Sequence, residues 1–293
     1  MRVFITGGTG LIGSAVVAEL LSAGHSVTAL TRSEASAAKA RAAGADTVNG
    51  GLTDLAVLRE QAASADGVIH LAFGNDFSSP EALAANIADE TAALEALGDA
   101  LVGTGKPLVT VSGTPQAEGR PSTEADPLPT HGPVAGRSIT VEKILALSES
   151  GVRTSSVRLP RTVHANGEGG FAGLLTRIAR QTGVAGYPGD GAQRWPAVHA
   201  LDAAVLFRLA LENAPAGTAW HAVADEGDPV KDIMTVVGRR LGLPVAEVPA
   251  ENFGPLGPVF VADQPASSAR TRAELGWAPT HPSLLEDLEN LRP

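Results

Sequence analysis

The chain has 293 residues, 44% of them hydrophobic and 18% charged, which is enough to bury a large core and is far from a disordered composition. It contains no cysteine, so disulfides, thiolate metal sites and a cysteine nucleophile are excluded. With 22 basic against 32 acidic residues the net charge is −10, which argues against nonspecific nucleic-acid or acidic-membrane binding.

In chain order, residues 2–7 read as an apolar, β-branched strand and 11–24 as a helix closed by glycine. Residues 26–31 predict a second strand, 33–43 an Ala-rich helix, 46–50 a third strand and 52–63 another helix. A fourth strand over 67–73 precedes a long helix over 80–101 and a fifth strand over 107–113. A Pro-rich stretch, 116–133, leads to a helix near 136–150 and a β-branched strand over 151–160. The texture then changes to Gly- and Pro-rich turns, with helices at 202–214 and 230–242, a strand at 218–224 and a closing segment at 284–291. Strands alternating with helices imply a parallel, doubly wound α/β sheet of Rossmann type. The expected division is a dinucleotide-binding domain over 1–163 and a smaller C-terminal, mainly substrate-binding lobe over 164–293. Within that lobe, roughly 196–224 returns to pack on the large domain.

Between the first strand and helix, Gly7, Gly10 and Gly13 fall at G-x-x-G-x-x-G spacing. Gly7 would allow the tight turn, Gly10 a close pyrophosphate and Gly13 helix–strand packing, while the helix N-terminus offers amide donors to phosphate. Flanked by a strand and a helix, the motif has the context dinucleotide binding requires. At the end of the second strand stand Thr31, Arg32 and Ser33, with no carboxylate to take ribose hydroxyls. Arg32 and Ser33 could pair with a 2′-phosphate, so NADP is the expected cofactor, NADPH preferred and NAD the alternative. Arg32 as a solvated loop residue is the plainer reading. No H-E-x-x-H or other close ligand cluster occurs, and no metal is expected. Gly7 and Gly8 interrupt the apolar opening, and no run of 18 apolar residues occurs. A cytoplasmic protein without membrane or nucleic-acid partners is expected, and the Ala- and Gly-rich composition suggests a bacterial source.

With these residues in view, the chain resembles the extended short-chain dehydrogenase/reductase family, the NAD(P)-dependent epimerase/dehydratase group. The segment from Thr6 to Gly13 matches the family's opening, and the exit of strand four, Leu71–Ala72–Phe73, looks like the stretch beneath its cofactor. Residues 189–204 look like its segment joining cofactor and substrate domains. By this resemblance the cofactor contacts are Gly7, Thr9, Gly10, Leu11, Ile12, Gly13, Arg32, Ser33, Leu71, Ala72, Phe73 and Ser112. The family also implies a small-molecule substrate and leaves room for a homodimer formed through helices of the large domain.

The family's catalytic set is a Ser or Thr after strand five and a Tyr-x-x-x-Lys on the next helix. Ser112 and Thr114 fit the first position, as substrate hydrogen-bond donors or as turn hydroxyls. The sole tyrosine is Tyr187, so the second motif is broken. The better register places Val134 at the tyrosine and Ser138 at the lysine position; the other uses Lys143 but leaves Ile139 for the tyrosine. Valine transfers no proton, and serine does not lower a neighbour's pKa as lysine would. His164, Tyr187 or His131 would then supply the proton, or pack. Arg161 and Arg194 flank segments expected to face substrate and could clamp an anion, with Trp195 as an apolar wall, or form salt bridges. His199 falls where the family joins its two domains, as substrate contact or interdomain hydrogen bond.

These residues predict an atypical NADP-dependent oxidoreductase that moves hydride to or from an organic carbonyl or alcohol with an unusual proton donor. The alternatives are an epimerase or dehydratase using transient redox, and a catalytically inactive NADP-binding regulator or scaffold.

Overall fold

The computed structural model describes residues 1–292. The chain alternates from its start: β1 (Arg2–Thr6), α1 (Leu11–Ser22), β2 (Ser26–Thr31), α2 (Glu34–Ala42), β3 (Asp46–Asn49), α3 (Leu55–Ser64), β4 (Gly67–His70), α4 (Pro80–Asp99) and β5 (Pro107–Gly113). Next come α5 (Ala135–Ala146), β6 (Arg153–Leu159), β7 (Thr162–His164), α6 (Gly170–Thr182), β8 (Ala185–Pro188) and β9 (Arg194–His199). The remainder is α7 (Ala200–Asn213), β10 (Thr218–His221), β11 (Asp225–Pro229), α8 (Val230–Leu241), β12 (Val245–Val248), α9 (Gly257–Phe260), α10 (Ala269–Leu275) and α11 (Leu284–Leu288).

The chain forms two compact units. The first comprises Met1–Ser112, Leu128–Arg158 and Ala204–Trp220; the second comprises Gly113–Pro127, Leu159–Ala203 and His221–Pro293. The first carries a seven-stranded sheet in the order β10-β6-β5-β4-β1-β2-β3. The pairs β1–β2, β1–β4, β2–β3 and β4–β5 are parallel, as expected of strands returned by helical crossovers. The doubly wound Rossmann sheet inferred from strand–helix alternation is therefore present. Central strands buried on both faces read as continuous apolar runs: Val3, Phe4 and Ile5 of β1 and Val68 and Ile69 of β4 are at most 1% exposed. Phe4, Leu58, Val68, Leu94, Leu97, Leu108 and Ile144 form one core, with α3, α4 and α5 presenting their apolar faces to it.

The second unit is built on two small sheets, β11-β9-β7 and β12-β8. Its core gathers Leu175, Tyr187, Trp195, Ile233, Met234, Val237, Phe253, Phe260 and Leu288. Helix α6 had no counterpart in the sequence reading, because the glycines at 167, 169 and 170 mask its start, yet Leu175 and Ala179 are buried on one face of it. Of the described residues, no helix is long and apolar enough to cross a membrane.

Candidate functional site

The first unit places its cleft at the carboxyl ends of β1, β2, β3 and β4, where crossovers to opposite sides of the sheet leave a crevice. At the centre the chain leaves β1 through Gly7, whose φ of +74° is a left-handed conformation natural to glycine. A Cβ on Gly13 would lie 2.0 Å from the carbonyl oxygen of Gly7, so this position admits no side chain without moving the loop. Helix α1 starts after Gly10, and no side chain caps it, which leaves its first-turn amides available to an anion. The turn is supported from below. Thr6 Oγ1 lies 3.0 Å from His70 Nδ1 and accepts a hydrogen bond of 3.3 Å from the Ala72 amide, tying the ends of β1 and β4 together.

The cleft has a volume of about 570 Å³. Gly7, Thr9 and Gly10 form its floor, Thr31, Arg32, Ser33 and Ser36 one wall, and Gly50–Thr53 the end beyond β3. Leu71, Ala72 and Phe73 line the other side with Asn75, Asp76, Asn86 and Asp89. A dinucleotide suits this donor set: uncapped helix amides and close-approach glycines for phosphates, apolar walls for the bases. Gly7, Thr9, Gly10, Arg32, Ser33, Leu71, Ala72 and Phe73 are thus brought together around one cavity. Leu11 is 46% exposed at the start of α1, and Ile12 follows it in the same first turn.

Phe73 is held in place by a feature the sequence reading missed. The Arg137 guanidinium lies 4.1 Å from the Phe73 ring centroid, and its Nε and Nη2 each donate a 2.7 Å hydrogen bond to the Glu90 carboxylate. Glu90 is 3% exposed. Burial pushes the His70 imidazole down to about 3, and the positive charge of Arg137 adds to the effect, so His70 is neutral at ordinary pH. The signal available in sequence was faint: an acid on the long helix and a base on the next, 47 positions apart. The cleft residues Gly50 and Gly51 were more legible, since paired glycines directly follow the third strand.

The expected catalytic groups fall in several environments. Ser112, half-buried at the end of β5, has its Oγ 3.0 Å from Ser156 Oγ of β6. Val134 is 46% exposed at the start of α5, and Ser138 is 8% exposed one turn on. Lys143 sits further along the helix and pairs with Glu95 on the surface. His131 is exposed and lies 3.1 Å from Thr130 Oγ1.

In the second unit, Thr114 is buried with no hydrogen-bond partner for its hydroxyl among the described residues. Tyr187 packs in the core at 9% exposure, 5.8 Å from Lys231 Nζ. His164 is 1% exposed, with Nδ1 2.9 Å from Asp287 Oδ2. Burial works to raise the Asp287 carboxyl, but hydrogen bonds from the Gly167 amide and His164 hold it below the usual range. His199 lies edge-on to His164 at 5.4 Å and stacks on His281 at 4.9 Å; burial, followed by the charge of His164, depresses its pKa. Arg194 is neutralised by Asp263 at 2.8 Å, and buried Trp195 donates its indole N–H to the Ala262 carbonyl. Arg161 is half-buried and has no acidic partner among the described residues.

Residues 3–222 match the model of the NAD dependent epimerase/dehydratase family. An uncharacterised protein of Schizosaccharomyces pombe is 44% identical over 98% of both chains. The 3-diazoavenalumate denitrifying reductase of a Streptomyces species is 30% identical over 98% of this chain and 99% of its own. Among solved structures, DesIV (dTDP-glucose 4,6-dehydratase) of Streptomyces venezuelae, with NAD and TYD bound, superposes with a TM-score of 0.79 at 20% identity, covering 99% of this chain and 95% of that one. UDP-glucose-4-epimerase of Stenotrophomonas maltophila, with NAD and formylated UDP-arabinopyranose, gives 0.76 at 21% identity and 99% and 96% coverage. Both solved structures carry NAD, which overturns the expectation of NADP drawn from Arg32 and Ser33. The physical reason lies at the end of β2. Ser33 caps α2 in a reciprocal pair with Ser36, Lys39 is bound to the Thr9 carbonyl, and Arg32 is exposed, with no ion-pair partner among the described residues.

Proposed function

Because this chain belongs to the NAD dependent epimerase/dehydratase family, we propose that it is an NAD-dependent oxidoreductase acting on an organic carbonyl or alcohol without the family's tyrosine. The observation that carries this reading is the intact glycine turn opening into the cleft; the Ser112–Ser156 hydroxyl pair belongs to the same unit but does not line that cleft. Gly7, Gly10 and the first amides of α1 would hold the pyrophosphate, the exposed Arg32 guanidinium would lie over an adenine face, and Phe73 would wall the other end. Bound there, the nicotinamide supplies a hydride to a carbonyl carbon or takes one from an alcohol.

The chain's own residues handle the oxygen. Ser112 Oγ–H would donate a hydrogen bond to the substrate oxygen, with Ser156 Oγ 3.0 Å away holding the Ser112 hydroxyl in place, and the proton that completes the alcohol would come from solvent water, whose hydroxide returns to bulk. Val134 and Ser138, which the preferred register sets at the family's tyrosine and lysine positions, would contribute no charge to this transfer. A redox reaction that takes its proton from water is therefore expected to be slower than one served by a tyrosine and lysine.

The test is a titration of the purified protein with NADH, followed by NADH oxidation against a panel of aldehydes and ketones. NADH binding with net oxidation is expected, and Ser112→Ala should lower kcat about a hundredfold while leaving NADH affinity unchanged. Binding without net oxidation for any carbonyl would overturn the net-redox reading and favour transient redox or a nucleotide-binding regulator.

A further inference from the structure

Three histidines of the second unit stand in one row. β7 and β9 pair in parallel with His164 opposite His199, so the two side chains leave the sheet on the same face and their rings meet edge-on at 5.4 Å. His281, from the loop before α11, stacks on His199 at 4.9 Å with its plane turned by only 10°. A buried carboxylate closes each end of the row. Asp287 of α11 lies 2.9 Å from His164 Nδ1, and Asp202 of α7 lies 2.8 Å from His281 Nδ1. His164 and His199 are buried, whereas the His281 side chain is 34% exposed, so protons enter the row from solvent through His281.

The same carboxylates hold the segment 280–291 in place. Asp202 accepts from the amides of Thr280 and His281 at 2.9 and 3.1 Å, Asp287 from that of Gly167 at 2.9 Å, and Asp225 of β11 from that of Leu284 at 2.8 Å. So tied, the segment buries Leu284, Leu288 and Leu291 in the core of the unit. The charges along the row are unevenly matched. A proton on His164 or His281 is met by the carboxylate it touches, whereas His199 makes no ion pair among the described residues. Its Nδ1 accepts from the Leu201 amide at 3.2 Å, a bond that protonation there destroys. Burial, then the charge of His164 and more weakly that of His281, push its pKa down against the pull of Asp287 and Asp202.

We propose that this row is an acid-operated clasp: a proton on the middle ring, His199, releases the segment 280–291 and its helix α11 from β7 and β9. The inference is independent of the redox reading above. Docked, the row refuses that proton, which would set like charges at stacking distance and break the Leu201 bond. Released, His199 faces water and titrates near 6.5 as an ordinary imidazole. Below about pH 6.5 the released form therefore binds more protons than the docked form, so docking is full above that pH and is lost as pH falls. Asp287 stays ionised through this window, because against the effect of burial the Gly167 amide and His164 hold its carboxyl low. The Asp225 carboxyl, pushed up first by burial and faced by His164, Glu286 and Arg272, loses charge as pH falls and works in the opposite sense.

The experiment uses the full-length protein and hydrogen–deuterium exchange read by mass spectrometry between about pH 7.5 and about pH 5, with rates corrected for the intrinsic effect of pH on exchange. Peptides over 280–291 report the clasp, and peptides over α6 report unfolding of the same unit as a whole. Across that range the 280–291 amides are expected to lose about tenfold or more of their protection beyond any loss in α6. His199→Phe keeps a ring in the stack that takes no proton, and should hold protection at pH 5 within about twofold of that at pH 7.5. His281→Phe, at the exposed end, removes one flanking charge and should shrink the loss. Parallel loss of protection in 280–291 and α6 of the wild type overturns the proposal even if His199→Phe fails to fold. So does a folded His199→Phe whose 280–291 segment loosens with acid as steeply as that of the wild type.

Discussion

His70 ends β4 fully buried, with Nδ1 on the Thr6 hydroxyl and Nε2 without a partner among the described residues. Its pKa falls to about 3 in the fold, against about 6.5 for an unfolded chain. Between those values the unfolded state binds a proton that the folded state refuses, so stability is full above about pH 6.5 and drains as pH falls towards 3. From pH 6.5 to 4 the loss attributable to this one ring should reach about 3 kcal/mol at most, at 1.36 kcal/mol per unit. Denaturant unfolding across that range should therefore show a steeper decline for the wild type than for His70→Gln; parallel curves would mean that the ring titrates freely. His70 was legible as an apolar-strand residue, but its depressed pKa was not, because that depends first on complete burial in the assembled sheet and then on Arg137, which arrives from a distant helix.

The bridge between α4 and α5 carries the next prediction. Removing Arg137 leaves the Glu90 carboxylate buried and unpaired, whereas removing the Glu90 charge leaves an arginine whose side chain is 28% exposed and can reach water. Arg137→Met should therefore cost about 3 kcal/mol and Glu90→Gln about 1 kcal/mol, a difference readable in denaturant midpoints. Arg137→Met should also weaken NADH binding, because Phe73 loses the cation that fixes its ring; unchanged affinity would detach this pair from the cleft. At this scale β1, α1, β2 and α4 were read to within two residues, because each combines strong periodicity with a Gly, Ser or Pro boundary. Short strands such as β7, β8 and β12 were not. They hold only three or four residues each and owe their existence to neighbours rather than to local pattern. The glycine turn was visible because it is contiguous, and the cofactor identity was misread because one exposed arginine carried it.

The first unit is assembled from three separated stretches of chain, and the last of them is structural. Leu206, Phe207, Leu211 and Trp220 are fully buried, and Arg208 joins Glu19 of α1 to Glu212 within α7. At about 1.5–3 kcal/mol per large buried side chain, their loss approaches the whole stability of an ordinary domain. A chain ending at Ala203 should therefore show no cooperative thermal transition by circular dichroism and no NADH binding; a sharp melt with retained binding would show that the earlier segments suffice. The order of assembly follows from the strand sequence. On the ribosome, β6 is complete at Leu159 while its edge partner β10 begins only at Thr218. At roughly 5–20 residues per second, nascent chains spend several seconds with that hydrogen-bonding edge bare. That interval, rather than any weakness of the finished fold, is when this protein is most exposed to aggregation and most in need of a chaperone.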